Sequence, residues 1–273
     1  MTFRRSRNLG IDLHLLESAE STNDELAARA KTGDLAEFTT IATLNQTAGR
    51  GRLGREWVSP AGKTLAVSVL LKPTAPSDTW GWIPLLAGVC MTRAVARVVP
   101  GASVSLKWPN DVLINTERGE RKVSGVLSEL VRDGVIVVGV GLNLSLEGDE
   151  LPVETATSLS ANGAQGSPRE LADTALAAFL TELRDGWAAL EAAGGDAGAS
   201  GLRLAVTELC GTLGREVRVE RPGRLEHVGT AVGIDTAGHL LVGGQGAVGG
   251  HNGAANSEVL TVAAGDVTHL RYE

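Results

Sequence analysis

Apolar residues alternate with polar ones, or follow one another in short β-branched runs, at intervals through the first half of the chain. This pattern predicts β-strands. The predicted strands are Ile11 to Leu16, Phe38 to Leu44, Thr64 to Leu71, Val104 to Trp108, Lys122 to Val131 and Val135 to Leu144. The last two are separated only by Arg132-Asp133-Gly134, which is typical of a tight hairpin turn.

Apolar residues at intervals of three and four predict helices between these strands and after them. One helix is predicted after Thr22, which stands at capping-box spacing from Glu25, and it is expected to end at Gly33. Another is predicted over Trp80 to Val99. A long helix begins at Ser167, which is followed by a proline and, three residues on, by a glutamate.

The pattern changes from Arg215 onward to short alternating strands with glycine-containing turns. About 60 residues of this kind predict a small β-barrel. The irregular order of strands and helices before it predicts an α+β domain, with a mixed β-sheet and helices on one face. We therefore divide the chain into a domain of residues 1–213 and a β-barrel domain of residues 214–273.

Composition supports a folded protein. Of 273 residues, 43% are apolar, and 25 Lys and Arg face 32 Asp and Glu, for a net charge of −7. No apolar run approaches the roughly 18 residues of a membrane helix, and no signal peptide is evident, so a soluble cytoplasmic protein is expected. Cys90 and Cys210 lie within apolar segments and are predicted to be buried thiols. The five histidines show no metal-ligand spacing.

A glycine- and arginine-rich loop follows the second predicted strand. Residues 49–54 match the dinucleotide fingerprint GxGxxG, but a polar segment precedes them and Ser59-Pro60 stands where the helix of that motif would begin. Residues 45–63 carry four cations and one acid, a local charge of +3. Two interpretations remain open: a solvated or nucleic-acid-binding patch, and an anion clamp built from arginine forks.

Three further patterns are candidates for a site. Lys107 to Asp111 combines a cation, an aromatic ring, a proline turn, an amide and a carboxylate, which also suits an ordinary turn. Alternation in the last predicted strand places Gly139, Gly141 and Asn143 on one flat face, as the close approach of a ligand or another backbone requires.

Lys122 is the third candidate, because it begins a predicted strand. Strict alternation places it on the same face as Ser124 and Ser128. A lysine in this position is typical of a solvated strand end, so the pattern alone favours that interpretation over a catalytic one.

Five segments, taken in order, resemble the signature segments of biotin protein ligases. They are Ser21-Thr22-Asn23, Gln46 to Arg55, Lys107 to Asp111, Lys122 to Glu129 and Gly139 to Asn143. The resemblance spans roughly Ile11 to Leu144, and the β-rich tail agrees with the SH3-like C-terminal domain of that family. Some members carry an N-terminal winged helix-turn-helix; only about ten residues precede the first predicted strand, so the monofunctional type is expected.

The resemblance implies a catalytic domain like those of class II aminoacyl-tRNA synthetases and biotin ligases. It implies that biotin is activated by ATP and Mg²⁺ as biotinyl-5′-AMP and transferred to a lysine of a biotin carboxyl carrier domain of an acyl-CoA carboxylase. No DNA or membrane partner is expected. The alternatives are a lipoate or octanoate ligase of the same fold, and a nucleic-acid-binding module, which the charge of −7 and nine aromatic residues disfavour.

The resemblance also implies the roles of individual residues, with Lys122 and Arg52 as the catalytic pair. The implied biotin-binding residues are Ser21, Thr22, Asn23, Gln46, Gly49, Arg50, Gly51, Arg52, Lys122 and Gly125. The implied nucleotide-binding residues are Arg50, Arg52, Arg55, Trp57, Lys107, Asn110, Asp111, Lys122 and Asn143. Trp57 is expected to stack on adenine. Asp111 is expected near the Mg²⁺ ion, with no protein-built metal cage.

Overall fold

The computed structural model describes residues 3–132, 134–220, 226–244, 259–263 and 266–269. The helices in these ranges are α1 (Arg4–Arg7), α2 (Thr22–Thr32), α3 (Trp82–Val98), α4 (Pro168–Ala192) and α5 (Leu202–Leu209). The strands of the larger part are β1 (Leu13–Leu16), β2 (Thr40–Thr43), β3 (Gly49–Arg50), β4 (Glu56–Trp57), β5 (Thr64–Leu71), β6 (Ser103–Lys107), β7 (Asp111–Thr116), β8 (Gly119–Arg132) and β9 (Val135–Asn143). The C-terminal strands are β10 (Glu216–Glu220), β11 (His227–Ile234), β12 (Leu240–Gly244), β13 (Val259–Val262) and β14 (Asp266–His269).

Seven strands form one mixed sheet in the order β1-β2-β5-β9-β8-β7-β6. The β1–β2 pair is parallel and the other neighbouring pairs are antiparallel. The long helices α3 and α4 cover one face, where Val67 and Val69 of β5 are buried. The short helix α2 covers part of the other face, where Leu26 packs with Leu70. The predicted α+β class is confirmed, with this one helix added on the second face.

Two local predictions are wrong. The strand β7 was not predicted, because its apolar core is only the three-residue run Val112 to Ile114 and lacks a clear alternation. Helix α2 is capped by Ser21 rather than Thr22: the Ser21 hydroxyl accepts a hydrogen bond of 3.3 Å from the backbone N–H of Asp24.

The predicted hairpin turn includes Asp133, which lies outside the described residues, while the flanking Arg132 and Val135 pair as expected.

Both cysteines are buried and free, as predicted. Burial is also the main cause that raises the pKa of the Cys90 and Cys210 thiols. No helix in the described ranges has both the length and the apolar character needed to cross a bilayer.

The five C-terminal strands form an antiparallel sheet in the order β13-β12-β11-β10-β14. This sheet packs on the larger part of the chain through two buried indoles. Trp82 Nε1 donates to the carbonyl of Thr236 at 2.8 Å, and Trp108 Nε1 donates to that of Gly238 at 3.1 Å. Buried residues of both parts belong to one continuous apolar core. The predicted boundary at residues 213 and 214 falls between α5 and β10 and stays a prediction.

A partly buried histidine lies at the junction of the two parts. His269 Nε2 lies 3.0 Å from the Thr212 hydroxyl, and its Nδ1 lies 3.2 Å from a Glu120 carboxylate oxygen. The Thr212 hydroxyl accepts a hydrogen bond from the backbone N–H of Trp108. Arg215 donates to both oxygens of Glu120. This network connects β14 to the turn that follows β6.

Acidification is expected to destabilise the protein through His269. Burial lowers the pKa of His269 below its usual 6.5, and the nearby charge of Lys107 acts in the same direction against the raising effect of Glu120. The unfolded chain therefore binds a proton first as pH falls below about 6.5, and the free energy of unfolding drops by at most about 1.4 kcal/mol per pH unit until the native pKa is reached. Denaturant unfolding at pH 7.5 and 5.5 measures the loss. His269→Gln cannot titrate, so it is expected to lose less stability over the same interval; an equal loss would contradict this assignment.

Candidate active site

A cleft with an empty volume of about 500 Å³ opens over β8 and β9. Its wall is the segment from Gly49 to Trp57, in which β3 pairs with β4 around a short 3-10 turn; we call these residues the arginine hairpin. The cleft is lined by eleven of the residues selected from sequence: Ser21, Thr22, Asn23, Gln46, Arg50, Gly51, Arg52, Trp57, Asn110, Lys122 and Gly125. Segments more than 100 residues apart in the chain therefore meet at one place.

One end of the cleft is a network of uncharged polar groups. Gln46 Oε1 accepts from the backbone N–H of Thr22 at 2.9 Å and lies 3.3 Å from the Thr22 hydroxyl. The Ser68 hydroxyl lies 2.8 Å from Thr22 Oγ1 and 2.6 Å from Asn23 Oδ1. Sequence reasoning missed Ser68, because it stands in an apolar strand and reads as a core position. Its full burial beneath two predicted site residues shows that it orients them.

The floor of the cleft is made of glycines, as the alternation in β9 predicts. A Cβ atom added to Gly139 would lie 2.2 Å from Asn23 Oδ1, and one added to Gly141 would lie 2.3 Å from the Trp57 ring. Gly49 begins the arginine hairpin and pairs with Trp57, and a Cβ there would meet the Trp57 carbonyl oxygen at 2.5 Å. These glycines are required because other chain segments pack directly on their backbone.

Gly139→Ala is expected to weaken ligand binding in the cleft. The added methyl group displaces the Asn23 amide, and overpacking of this kind costs about 1–3 kcal/mol, or roughly 5- to 150-fold in affinity if it falls on the bound state. Calorimetric titration with biotin, the ligand that the resemblance in sequence implies, measures the effect. Gly233→Ala in β11 is the matched control, because a Cβ there has its nearest neighbour at 3.9 Å. Equal affinities for the Gly139→Ala variant and the unchanged protein would contradict the prediction.

Cations gather at the opposite end of the cleft. Lys122 Nζ forms an ion pair of 2.7 Å with Asp111 and lies 5.5 Å from the centre of the Trp57 ring. Arg52 donates to the Asn110 side-chain oxygen at 3.1 Å. Burial is the main cause that lowers the pKa of the Arg52 guanidinium. It also lowers the pKa of the Lys107 amine. A second cleft, adjacent and polar, is lined by Arg52, Arg55, Lys107, Asn110 and Asp111 together with residues of β10 and β14.

Lys122 does not share a face with Ser124 and Ser128, so that prediction is wrong. The pairing of β7 with β8 shifts between Val112, which faces Ser124, and Leu113, which faces Lys122. The extra residue, Val123, forms a β-bulge, and a bulge reverses the alternation of side chains beyond it. Lys122 therefore shares a face with Gly125, whose added Cβ would lie 3.1 Å from Lys122 Nζ. The bulge turns the lysine into the cleft.

Besides Gly49 in the arginine hairpin, one predicted site residue lines neither cleft, and that residue is Asn143. It is buried, and its amide donates to the Thr157 carbonyl at 2.9 Å, so in this structure it fixes the segment after β9. No group of three or more His, Cys, Asp or Glu side chains that could hold a metal occurs in the described part of the chain.

Comparison with known proteins identifies this arrangement. A model of the Biotin/lipoate A/B protein ligase family matches residues 15–146, and one of the Biotin protein ligase C terminal domain matches residues 212–270. A biotin--[acetyl-CoA-carboxylase] ligase of Mycobacterium tuberculosis is 34% identical over 95% of this chain and 89% of that protein. A biotin--[acetyl-CoA-carboxylase] ligase of Paracoccus denitrificans is 32% identical over 84% of this chain and 93% of that protein. The structure of a biotin protein ligase from Aquifex aeolicus in complex with biotin and ATP has a TM-score of 0.70 at 26% identity, covering 96% of this chain and 99% of that one.

The fold and the cleft, with the first of these matches, place the chain among the biotin and lipoate protein ligases. The C-terminal part matches a biotin protein ligase domain, and the two relatives that match over most of their length are biotin ligases. These matches favour the biotin ligases over the lipoate ligases. The chain belongs to the biotin protein ligase family.

Proposed function

We propose that this protein activates biotin with ATP and transfers it to a lysine of a carrier domain of an acetyl-CoA carboxylase. The observation that carries the proposal is the meeting, in one cleft, of a network of uncharged polar groups and a cationic end containing Lys122 and Arg52. The named relatives act on acetyl-CoA carboxylase, and the Aquifex aeolicus structure holds both biotin and ATP.

Biotin binds, in this proposal, over the glycine floor. Its urea group offers N–H donors and a carbonyl acceptor, which match the hydroxyl, amide and backbone groups of the polar end. The biotin-binding residues are Ser21, Thr22, Asn23, Gln46, Gly49, Arg50, Gly51, Arg52, Lys122 and Gly125. The chain of biotin then runs along the floor, so that its carboxylate reaches the cationic end.

The first reaction joins two anions. A carboxylate oxygen of biotin attacks the α-phosphorus of ATP, the bond to the β-phosphate oxygen breaks, and biotinyl-5′-AMP and pyrophosphate form. Lys122 and Arg52 lower the repulsion between the reactants and the charge of the transition state, an effect that is large where water is excluded. Lys122 reaches these oxygens by exchanging its contact with Asp111 for them.

The nucleotide extends from the cationic end toward the second cleft. Its proposed contacts are Arg52, Arg55, Trp57, Lys107, Asn110, Asp111 and Lys122, whereas the Arg50 and Asn143 side chains are held by other groups of the chain. The Trp57 ring supplies a stacking surface, and its Nε1 is buried without a hydrogen-bond partner among the described residues. Mg²⁺ bound with the nucleotide would bind mainly to phosphates and water and would neutralise phosphate charge. Asp111 is placed to supply a single carboxylate to it.

The second reaction uses the carrier. The neutral ε-amine of its lysine attacks the acyl carbon of the adenylate, the C–O bond to phosphate breaks, AMP leaves and the amine loses its proton. The C-terminal sheet contributes residues of β10 and β14 to the second cleft, so we propose that it helps to position the nucleotide or the carrier. Because ATP and carboxylase carrier domains are cytoplasmic, we propose the same location for this protein.

Incubation with biotin, ATP, Mg²⁺ and a carrier domain, followed by intact mass measurement, tests the function. One carrier lysine is expected to gain one biotinyl group, in an ATP-dependent manner. A parallel incubation with lipoate separates the two branches of the family. Absence of modification with biotin, or preferential modification with lipoate, would overturn the proposal.

A further inference from the structure

Arg50 is held by two carboxylates outside the cleft. Its Nη1 and Nη2 donate to the two oxygens of Glu129 at 2.8 and 2.9 Å. Its Nη2 and Nε also donate to the two oxygens of Asp24 at 2.6 and 3.3 Å. The hydrogen bond to Glu129 is the main cause that raises the pKa of Arg50. The guanidinium thus joins β3 to both α2 and β8.

Glu129 makes a further contact that reaches the polar end of the cleft. Its Oε2 accepts a hydrogen bond of 2.7 Å from the Asn23 amide nitrogen, which also lies 3.2 Å from the Leu127 carbonyl. With its nitrogen held in this way, the Asn23 amide must direct its oxygen toward Ser68. One carboxylate therefore orients a cleft amide and fastens the stem of the arginine hairpin.

We propose that Glu129 is a positioning residue for substrate binding, and that the Arg50 side chain is a strut of the arginine hairpin rather than a ligand of the reacting anions. This inference rests on the proposed function for the identity of the substrate. Charge-assisted forks are among the stronger hydrogen bonds. To reach a phosphate, Arg50 would have to give up its contacts to two carboxylates. Arg52 borders the cleft and is bonded only to an uncharged amide oxygen, that of Asn110, in the described part of the chain.

The two possible roles of Arg50 predict opposite effects of Glu129→Gln, which keeps the shape and removes the charge. If Arg50 is a strut, the change loosens the hairpin stem and weakens biotin binding. If Arg50 is an anion ligand restrained by carboxylates, the same change releases it and tightens binding of the nucleotide. The pair is about one third to two fifths exposed, so solvent screening moderates its strength, and we expect a loss on the order of tenfold in biotin affinity.

The experiment compares the unchanged protein, Glu129→Gln and Glu25→Gln. The last is a matched control, since Glu25 pairs with Arg29 at 2.7 Å at similar exposure and its carboxylate makes no contact with the hairpin. For each protein we measure the rate of trypsin cleavage at the hairpin arginines without substrates. Calorimetry gives the affinity for biotin, and steady-state kinetics give the Michaelis constant for biotin and the turnover number. Glu129→Gln is expected to be cleaved about tenfold faster and to show a raised Michaelis constant for biotin with a turnover number within about twofold of the original. The control is expected to match the unchanged protein.

Arg50→Met provides a second variant should Glu129→Gln not fold. It is expected to weaken biotin binding and leave the Michaelis constant for ATP unchanged, and the double variant is expected to lose no more than either single one. Tighter nucleotide binding in Glu129→Gln, or unchanged cleavage and biotin affinity, would overturn the inference. If the unchanged protein bound no biotin, the proposed function would fail while the cleavage comparison still tested the strut.

Discussion

Lys122→Ala is expected to reduce adenylate formation by about 10²- to 10³-fold, the loss seen when one preorganised group that stabilises transition-state charge is removed. Lys122 is the lysine that the β-bulge turns into the cleft, next to Asp111 and over the Trp57 ring. Its removal also leaves a negative carboxylate facing two anionic reactants. Pyrophosphate release in the presence of biotin and ATP measures the first reaction without a carrier.

Lys72→Ala is the control for this loss. Lys72 pairs with Asp34 at 2.6 Å, and its side chain is 32% exposed against 34% for Lys122, so both substitutions remove an ion-paired lysine of similar exposure. The control is expected to release pyrophosphate at the original rate. Since an exposed or partly exposed ion pair contributes little to stability, both variants are expected to keep melting temperatures near the original. If a folded Lys122→Ala variant released pyrophosphate at the original rate, Lys122 would be a solvated residue at a strand end with no role in adenylate formation.

Arg52→Gly is expected to produce an enzyme that makes adenylate and loses it. Arg52 borders the main cleft and the second cleft, and its guanidinium donates a hydrogen bond to the Asn110 side-chain oxygen, which joins the arginine hairpin to the turn after β6. Loss of a charge-assisted hydrogen bond to the adenylate costs about 1.5–3 kcal/mol, or roughly 10- to 150-fold in retention. The glycine also makes the turn of the hairpin more flexible. Released adenylate then acylates exposed lysines of any protein nearby.

Streptavidin blotting of a mixture of carrier domain and albumin measures this leakage. Label on albumin is expected to rise with Arg52→Gly and to stay low with Arg118→Gly, which removes an exposed arginine from the turn between β7 and β8. Limited proteolysis with and without biotin tests whether the hairpin becomes ordered on binding. Unchanged carrier selectivity, together with equal cleavage in both conditions, would show that the hairpin does not retain the adenylate.

Features that depend on residues close together in the chain could be predicted from the sequence. The glycine face of β9 follows from strict alternation, and the polar start of α2 follows from its capping residues. The five segments that resemble a known family contain most of the residues that line the cleft. Local patterns of this kind carry information because backbone geometry repeats every two residues in a strand and every 3.6 in a helix.

What could not be predicted depends on contacts between distant segments. The orientation of Lys122 depends on a bulge that exists only in the pairing of β7 with β8, and β7 itself was missed. Asn143 shares the glycine face in sequence, yet its amide is used by Thr157. Ser68 has no sign of function until Thr22 and Asn23 are placed above it. From sequence, the arginine hairpin can be interpreted as a solvated patch of cations. In the structure, the Arg50 side chain is held by Asp24 and Glu129, which stand 26 and 79 positions away in the chain.

The placement of the five tryptophans makes this protein its own optical reporter. Trp82, Trp108 and Trp187 are buried in the core, and Trp80 is partly buried beside it, so their emission reports on folding and on the seating of the C-terminal sheet. Trp57 alone among them borders the main cleft, with a lysine ammonium over its ring. A fluorescence change that the unchanged protein shows on addition of biotin, and that a Trp57→Phe variant lacks, would follow the filling of the cleft without a labelled substrate, so the rate of each binding step becomes accessible by stopped flow.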